Sequence, residues 1–378
     1  MQMKRNFRKI QKAVAVFLLS VAVAACFSSD KEKSAPASAM QDISVSTFSN
    51  QLNKEETAPQ TVMPQVYPCG FPVGIYMETA GVMVVTPAQI PTNENSLSSP
   101  CEGSLEQGDY ITSVNGVEVN SKEELIAAVE NCNGQPLTLH VIREQSESDL
   151  IEREFDLSVL PVLDANGSYR LGVWVKDDVQ GIGTLTYITE DGHFGALGHP
   201  INDSDTGKRV HVRKGGLYES QIQMVIRGKN GTPGSFCGII CYDGSTFLGN
   251  IYENNACGIY GNSSVLLEEQ QKRFDPMPVA KSSEVVCGSA ILRCAVSDEP
   301  QDYEVEVIKT QPGSSGGFQI RVTDQTLLEK TGGIIQGMSG SPLIQNGKVI
   351  GAVTHVFVND PTRGYAIYME DMLGHTMN

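Results

Sequence analysis

"GGIIQGMSGSPLIQNGKVIGAVTHV", residues 332–356, sets six glycines and two serines in an otherwise apolar run. Gly337-Met338-Ser339-Gly340-Ser341-Pro342 has the form of a nucleophile turn, a serine held between glycines ahead of a buried strand. Two readings are open: Ser339 is a nucleophile, or the turn only joins two core strands. A serine hydrolase needs a nucleophile, a base, a group that orients the base, and donors for the oxyanion. The turn supplies the first and the last, because flanking glycines let the backbone N–H groups of Gly337 and Ser339 converge. After Pro342 the chain reads as a hairpin, with an Asn346-Gly347 turn and a strand over 348–353.

Two other serines compete. "PGSSGG" (312–317) contains Ser315 in a similar pattern, but lacks the proline and apolar hairpin that follow, and reads as a loop. Ser341 follows Gly340 and takes the supporting position of such a turn.

Of the six histidines, His193 and His199 stand in "YITEDGHFGALGHPINDSDTG" (187–207). Asp191-Gly192 is a hairpin signal that puts His193 near a tip. His199 follows Gly195-Ala196-Leu197-Gly198, small enough for another chain to approach closely, and is the better base. His355 follows the strand after Ser339 and reads as a wall on the substrate side. His140, His211 and His375 fall in a strand, before a basic patch and at the chain end. For the orienting group, Asp203 and Asp205 are near His199 in sequence. Asp324 stands 15 residues before Ser339; its other reading is a helix N-cap for "QTLLEK".

The 378 residues allow two domains and an export segment, and 37 glycines with a single tryptophan favour a β-rich chain. The net charge of −16 argues against a nucleic-acid partner. "MQMKRNFRK" is followed by an apolar run over 13–25, shorter than the ~20 residues needed to span a bilayer. Residues 1–26 are therefore predicted to be a signal peptide or membrane anchor, and Val23-Ala24-Ala25-Cys26 resembles a lipobox in which Cys26 is lipidated. Residues 27–66 read as a flexible tether. Eight cysteines follow Cys26, an even count that permits disulfides in an exported chain and equally permits buried thiols. No cysteine pair has zinc-site spacing, and neither metal nor cofactor is implied.

From about Tyr67 the pattern becomes strand-like. Gly108-Asp109, a strand, an Asn115-Gly116 turn and a helix capped by Ser121 with Glu124 resemble a PDZ domain over 67–160. That resemblance implies peptide capture by β-addition at 71–77, with Phe71, Val73, Gly74 and Ile75 as contacts. Residues 161–378 carry runs such as "GIGTLTYI", "YEVEVIK" and "FQIRVTD", which suit a double barrel or a sandwich.

"GALGHPINDSDTG" and "LLEKTGGIIQGMSGSPLIQNGKVIGAVTHVFVNDPTRGYAIYMEDML", preceded by a PDZ-like module, resemble the stage IV sporulation protein B serine peptidases. The resemblance implies a mainly β chain, a PDZ domain followed by a chymotrypsin-like double β-barrel. It implies His199 as base, Asp324 as third member and Ser339 as nucleophile. Such enzymes are exported into the space between forespore and mother-cell membranes. There they cut themselves and a regulator of a membrane-embedded metalloprotease, so activating the late sigma factor. The expected partners are thus that membrane-associated regulator and the chain's own N-terminal region. Pro200 departs from the β-branched residue usual in the family, and 208–310 is weakly matched. A different reading is a non-catalytic PDZ scaffold, which would be expected to lack His199 or Ser339.

Overall fold

The computed structural model describes residues 64–93, 96–146, 151–297, 299–311 and 317–374. The export segment, Cys26, nearly all of the expected tether, Ser315 and His375 lie outside them. No helix among the described residues is long and apolar enough to cross a membrane.

Strands β1 (Gln65–Pro68) and β2 (Pro72–Pro87) open the fold. Then come β3 (Tyr110–Val114), helix α1 (Lys122–Glu130), β4 (Leu137–Ser146) and β5 (Ile151–Val159). They are followed by β6 (Val173–Thr189), β7 (His193–Ala196), β8 (Val212–Ile226), β9 (Ser235–Ile240), β10 (Phe247–Asn255), β11 (Gly258–Asn262) and α2 (Ser264–Arg273). The last group is β12 (Gly288–Cys294), β13 (Gln301–Thr310), β14 (Phe318–Val322), α3 (Gln325–Thr331), β15 (Pro342–Gln345), β16 (Lys348–Phe357), β17 (Asp360–Tyr368) and α4 (Met369–Leu373).

Two antiparallel barrels result. In the first, β2 pairs with β6, β6 with β7, β7 with β11, β11 with β10, β10 with β8, and β8 again with β2. The second closes in the order β12-β13-β14-β17-β16-β15. Period-two patterning explains the walls: in β13, Tyr303, Val305 and Val307 enter the core while Glu304 stays exposed. The predicted Asn346-Gly347 turn is present, with φ of 53° and 73°, the positive values a two-residue hairpin requires. Each barrel has its own core, one around Ile75, Leu185 and Phe194, the other around Val305, Ile320 and Val353. The expected mainly β, chymotrypsin-like architecture is the one observed.

The chain passes from β2 to β6 through an insert with a separate core that includes Val114, Leu125, Val129 and Leu139. Its helix begins as expected: Ser121 Oγ accepts from the Glu124 N–H at 3.2 Å. The Glu124 carboxylate reaches back one residue further than a capping box requires, to the Asn120 N–H at 2.7 Å. The expected division into 67–160 and 161–378 does not coincide with a break between sheets. β1 and the first half of β2 belong to the first barrel, and Gln65-Val66, expected in the tether, are already strand.

This placement overturns the expected peptide contacts. Val73, Gly74 and Ile75 pair with Gly183, Ile182 and Gly181 on one side and with Glu219, Tyr218 and Leu217 on the other. The Phe71 carbonyl accepts from the Leu185 N–H at 3.1 Å. A strand bonded on both edges has no groups left for an added peptide. An open edge exists elsewhere. Among the described residues Val173, Trp174 and Val175 pair only with β2, and together with Leu125, Ile126 and Val129 of α1 they line a groove of about 600 Å³.

Candidate active site

The nucleophile turn is held by the second barrel and closed against the first. Ile334, Ile335 and Met338 are buried in the second core, so the chain between α3 and β15 is anchored from below. The Met338 N–H donates to Ile335 O at 3.1 Å and the Ser341 N–H to Met338 O at 3.0 Å. Gly340 has φ of 95°, and a Cβ there would lie 2.2 Å from Thr184 O and 2.5 Å from Leu197 N. Only glycine fits, because the backbones of the two barrels meet at this point. Thr184 completes the clasp: its N–H donates to Ser339 O at 3.1 Å and its Oγ1 to Gly337 O at 2.7 Å.

Leu197 and Gly198 both take positive φ, 71° and 72°, so the chain turns sharply after β7 and delivers His199 to the same seam. A Cβ on Gly198 would touch Thr354 Cγ2 at 3.1 Å, which places this turn against β16. His199 rests on His355, with ring centroids 4.9 Å apart. Ser339 Oγ meets the same stretch of β16, donating to Thr354 O at 2.8 Å. Ser339 and His199 thus meet neighbouring residues of β16, Thr354 and His355, and the serine proton is held by a carbonyl rather than by the imidazole.

The imidazole is preset. His199 Nδ1 lies 2.8 Å from Pro200 O, so in the neutral ring Nδ1 carries the proton and Nε2 is the acceptor. Burial pushes the pKa down to about 4; the Pro200 carbonyl opposes this and nearby His355 adds to it. The ring is therefore neutral and proton-accepting at neutral pH. Burial lowers the pKa of His355 as well.

The expected third member makes no hydrogen bond to the base among the described residues. Asp324 is the N-cap of α3, its carboxylate accepting from the Leu327 N–H at 2.9 Å and the Glu304 N–H at 3.5 Å. The cap reading accounts for the contacts of this residue, one carboxylate oxygen taking a helix-start N–H and the other an N–H of β13. Asp203 and Asp205 are engaged by Lys176. Among the described residues no carboxylate hydrogen-bonds His199, and the Pro200 carbonyl occupies the orienting position. His193, the other sequence candidate, interacts with Tyr252 and Asp191 instead.

Neither the Gly337 nor the Ser339 N–H has an acceptor among the described residues. Gly337 has φ of 101°, and a Cβ there would strike Phe236 at 2.4 Å. Ser341 is buried behind the turn, and its hydroxyl has no partner among the described residues. Sequence reasoning missed Thr184 and Phe236. Thr184 lies in "GIGTLTYI", where small residues surround the threonine, and Phe236 in the weakly matched "GTPGSFCG". The eight described cysteines are all free thiols, so the even count forms no disulfide here.

A family model described as SpoIVB peptidase S55 matches residues 167–373, more than half of the chain. The chain belongs to this family. It is a serine peptidase of the SpoIVB peptidase type. Among solved structures, the chain is similar to the Rv3671c protease of M. tuberculosis in its active form, at 14% identity with a TM-score of 0.30, covering 52% of this chain and 72% of that one. The inactive form of that protease gives 14% identity and a TM-score of 0.28, with coverage of 51% and 81%. No curated protein matches the sequence. The family match begins inside the segment before β6 and leaves β1, β2 and most of the insert outside it.

Proposed function

We propose that this SpoIVB-type peptidase is an exported, membrane-associated endopeptidase in which Ser339 is the nucleophile and His199 the base. On substrate binding, Ser339 Oγ leaves Thr354 O and turns to His199 Nε2, which takes its proton as Oγ attacks the peptide carbonyl. The N–H groups of Gly337 and Ser339 receive the oxyanion, and the imidazolium returns the proton to the leaving amine. Water then hydrolyses the acyl-enzyme by the reverse roles. The Pro200 carbonyl keeps the imidazole in the reactive tautomer. One observation carries this reading: a clasp of Thr184 and Gly340 fixes the serine turn against the turn that presents His199.

The finer role rests on the family. The substrate is a regulator of a membrane-embedded metalloprotease, together with the chain's own N-terminal region. The enzyme works in the space between the forespore and mother-cell membranes and leads to activation of the late sigma factor. The insert acts as a PDZ-type peptide holder, using the open edge Val173–Val175 and the apolar face of α1 in place of 71–75. The presence of both His199 and Ser339 disfavours a non-catalytic scaffold.

Labelling of the purified protein by a fluorophosphonate probe tests the chemistry. Labelling is expected in the wild type and absent in Ser339→Ala and His199→Ala. An S339A protein that still processes itself after purification would sink the assignment.

A further inference from the structure

Beyond Val353, β16 has no described strand on the side facing the nucleophile; it pairs there with β15 over 348–352. The carbonyl of Thr354 lies on that side, since it accepts from Ser339 Oγ. An extended substrate added along this edge places alternate side chains on the face that carries the His355 ring. The first of these is the residue before the one donating the scissile carbonyl, and it meets His199 and His355. The next on that face is the fourth residue before the scissile bond, about 7 Å further along.

What stands there is built from two strands. His355 pairs with Tyr365 of β17, and Tyr365 pairs with Gln319 of β14, so the three share the outer face of the barrel. Tyr365 stacks on Phe357 at 4.5 Å, and the guanidinium of Arg363 lies 5.1 Å over the Phe357 ring. The neighbouring arginine on this face, Arg321, is paired with Glu306 at 3.5 Å. Among the described residues, the hydrogen-bond acceptor of Arg363 is the amide oxygen of Gln319, at 3.3 Å, and its buried Nε has none. Among the described residues no carboxylate pairs with it, in a chain whose net charge is −16. A guanidinium held flat on an aromatic ring and lacking an anion is preorganised to receive one.

We infer that Arg363, on its Phe357–Tyr365 platform, is a specificity-determining residue that selects an acidic side chain at the fourth position before the scissile bond. The inference rests on Ser339 being the nucleophile and on substrate lying along β16.

A matched pair of peptides, identical except for Glu or Gln at that position, tests it. The kcat/KM ratio of Glu over Gln is expected to be about tenfold or more in the wild type, close to one in Arg363→Gln, and reversed toward a Lys peptide in Arg363→Glu. Arg363→Lys is expected to restore part of the preference. Each ratio is internal to one protein, so a loss of folded enzyme does not alter it. A wild-type ratio near one, or a ratio unchanged in R363E, overturns the inference while fluorophosphonate labelling of Ser339 persists. Absence of labelling in the wild type would instead remove the reading on which it rests.

Discussion

Thr184 of the first barrel holds the nucleophile turn of the second at two points, its N–H on Ser339 O at 3.1 Å and its Oγ1 on Gly337 O at 2.7 Å. The second bond sets the peptide plane just after the Gly337 N–H, one of the two donors assigned to the oxyanion. Replacing Thr184 by Val keeps the shape and removes the hydroxyl. The expected result is a fall in kcat of about tenfold and a loss of about 1 kcal/mol of stability. Thr184→Ser should recover most of the rate; peptide hydrolysis and chemical denaturation measure the two effects.

Gly340 should tolerate no side chain. With φ of 95° and a Cβ position 2.2 Å from Thr184 O, Gly340→Ala must push the two barrels apart at the site. The expected cost is about 2–4 kcal/mol, together with loss of probe labelling. Gly347→Ala is the control: its φ is 73°, but nothing lies within 4 Å of the added Cβ. It should cost only about 1 kcal/mol and leave labelling intact. Equal losses in the two variants would count against the close approach of the barrels.

Asp324 separates a cap from a triad member. Asp324→Asn and Asp324→Ser retain a side-chain acceptor for the Leu327 N–H and are expected to label at rates within a few-fold of the wild type. Asp324→Ala should lower the stability by about 1 kcal/mol. A D324N protein as inactive as H199A would show that the carboxylate acts on the imidazole.

The acid limb of the labelling rate is expected near pH 4, well below the ordinary histidine value of 6.5, because burial holds the His199 pKa at about 4. The same shift ties stability to pH. Between 6.5 and about 4 the unfolded chain carries a proton at this position that the folded chain lacks. The contribution of His199 is thus complete above 6.5 and is lost as pH falls through the folded value. A labelling profile with its acid limb near 7 would mean that the imidazole finds an anionic partner in solution.

The glycines and serines of 332–356, the Asn346-Gly347 turn and the residues around His199 were legible because each depends on its immediate neighbours. A positive φ, a capped helix or a strand of alternating polarity is a local property, and the same holds for the Ser121 cap. The expectation failed where two distant segments compete for one group. Asp324 had both readings open from sequence, and only the folded chain shows its carboxylate on the N–H groups of Leu327 and Glu304. The expected peptide edge at 71–75 failed for a similar reason: its strand is paired by β6 and β8, more than a hundred residues away in the chain.

By itself the sequence pointed to a mainly β serine peptidase and offered the Gly337–Pro342 turn and His199 as its candidate nucleophile turn and base, because backbone conformation and residue chemistry specify such features within a few positions. Only the tertiary structure decided that the first half of β2 is a barrel strand with no free edge and that the start of β6 leaves an edge open at Val173–Val175. It also decided that Thr184 clasps the serine turn, that His199 Nδ1 lies on the Pro200 carbonyl while Asp324 caps α3, and that Arg363 has no carboxylate partner among the described residues. These are contacts between chain segments far apart in sequence, set by how two barrels close and meet, and no local pattern encodes which partner each group will find.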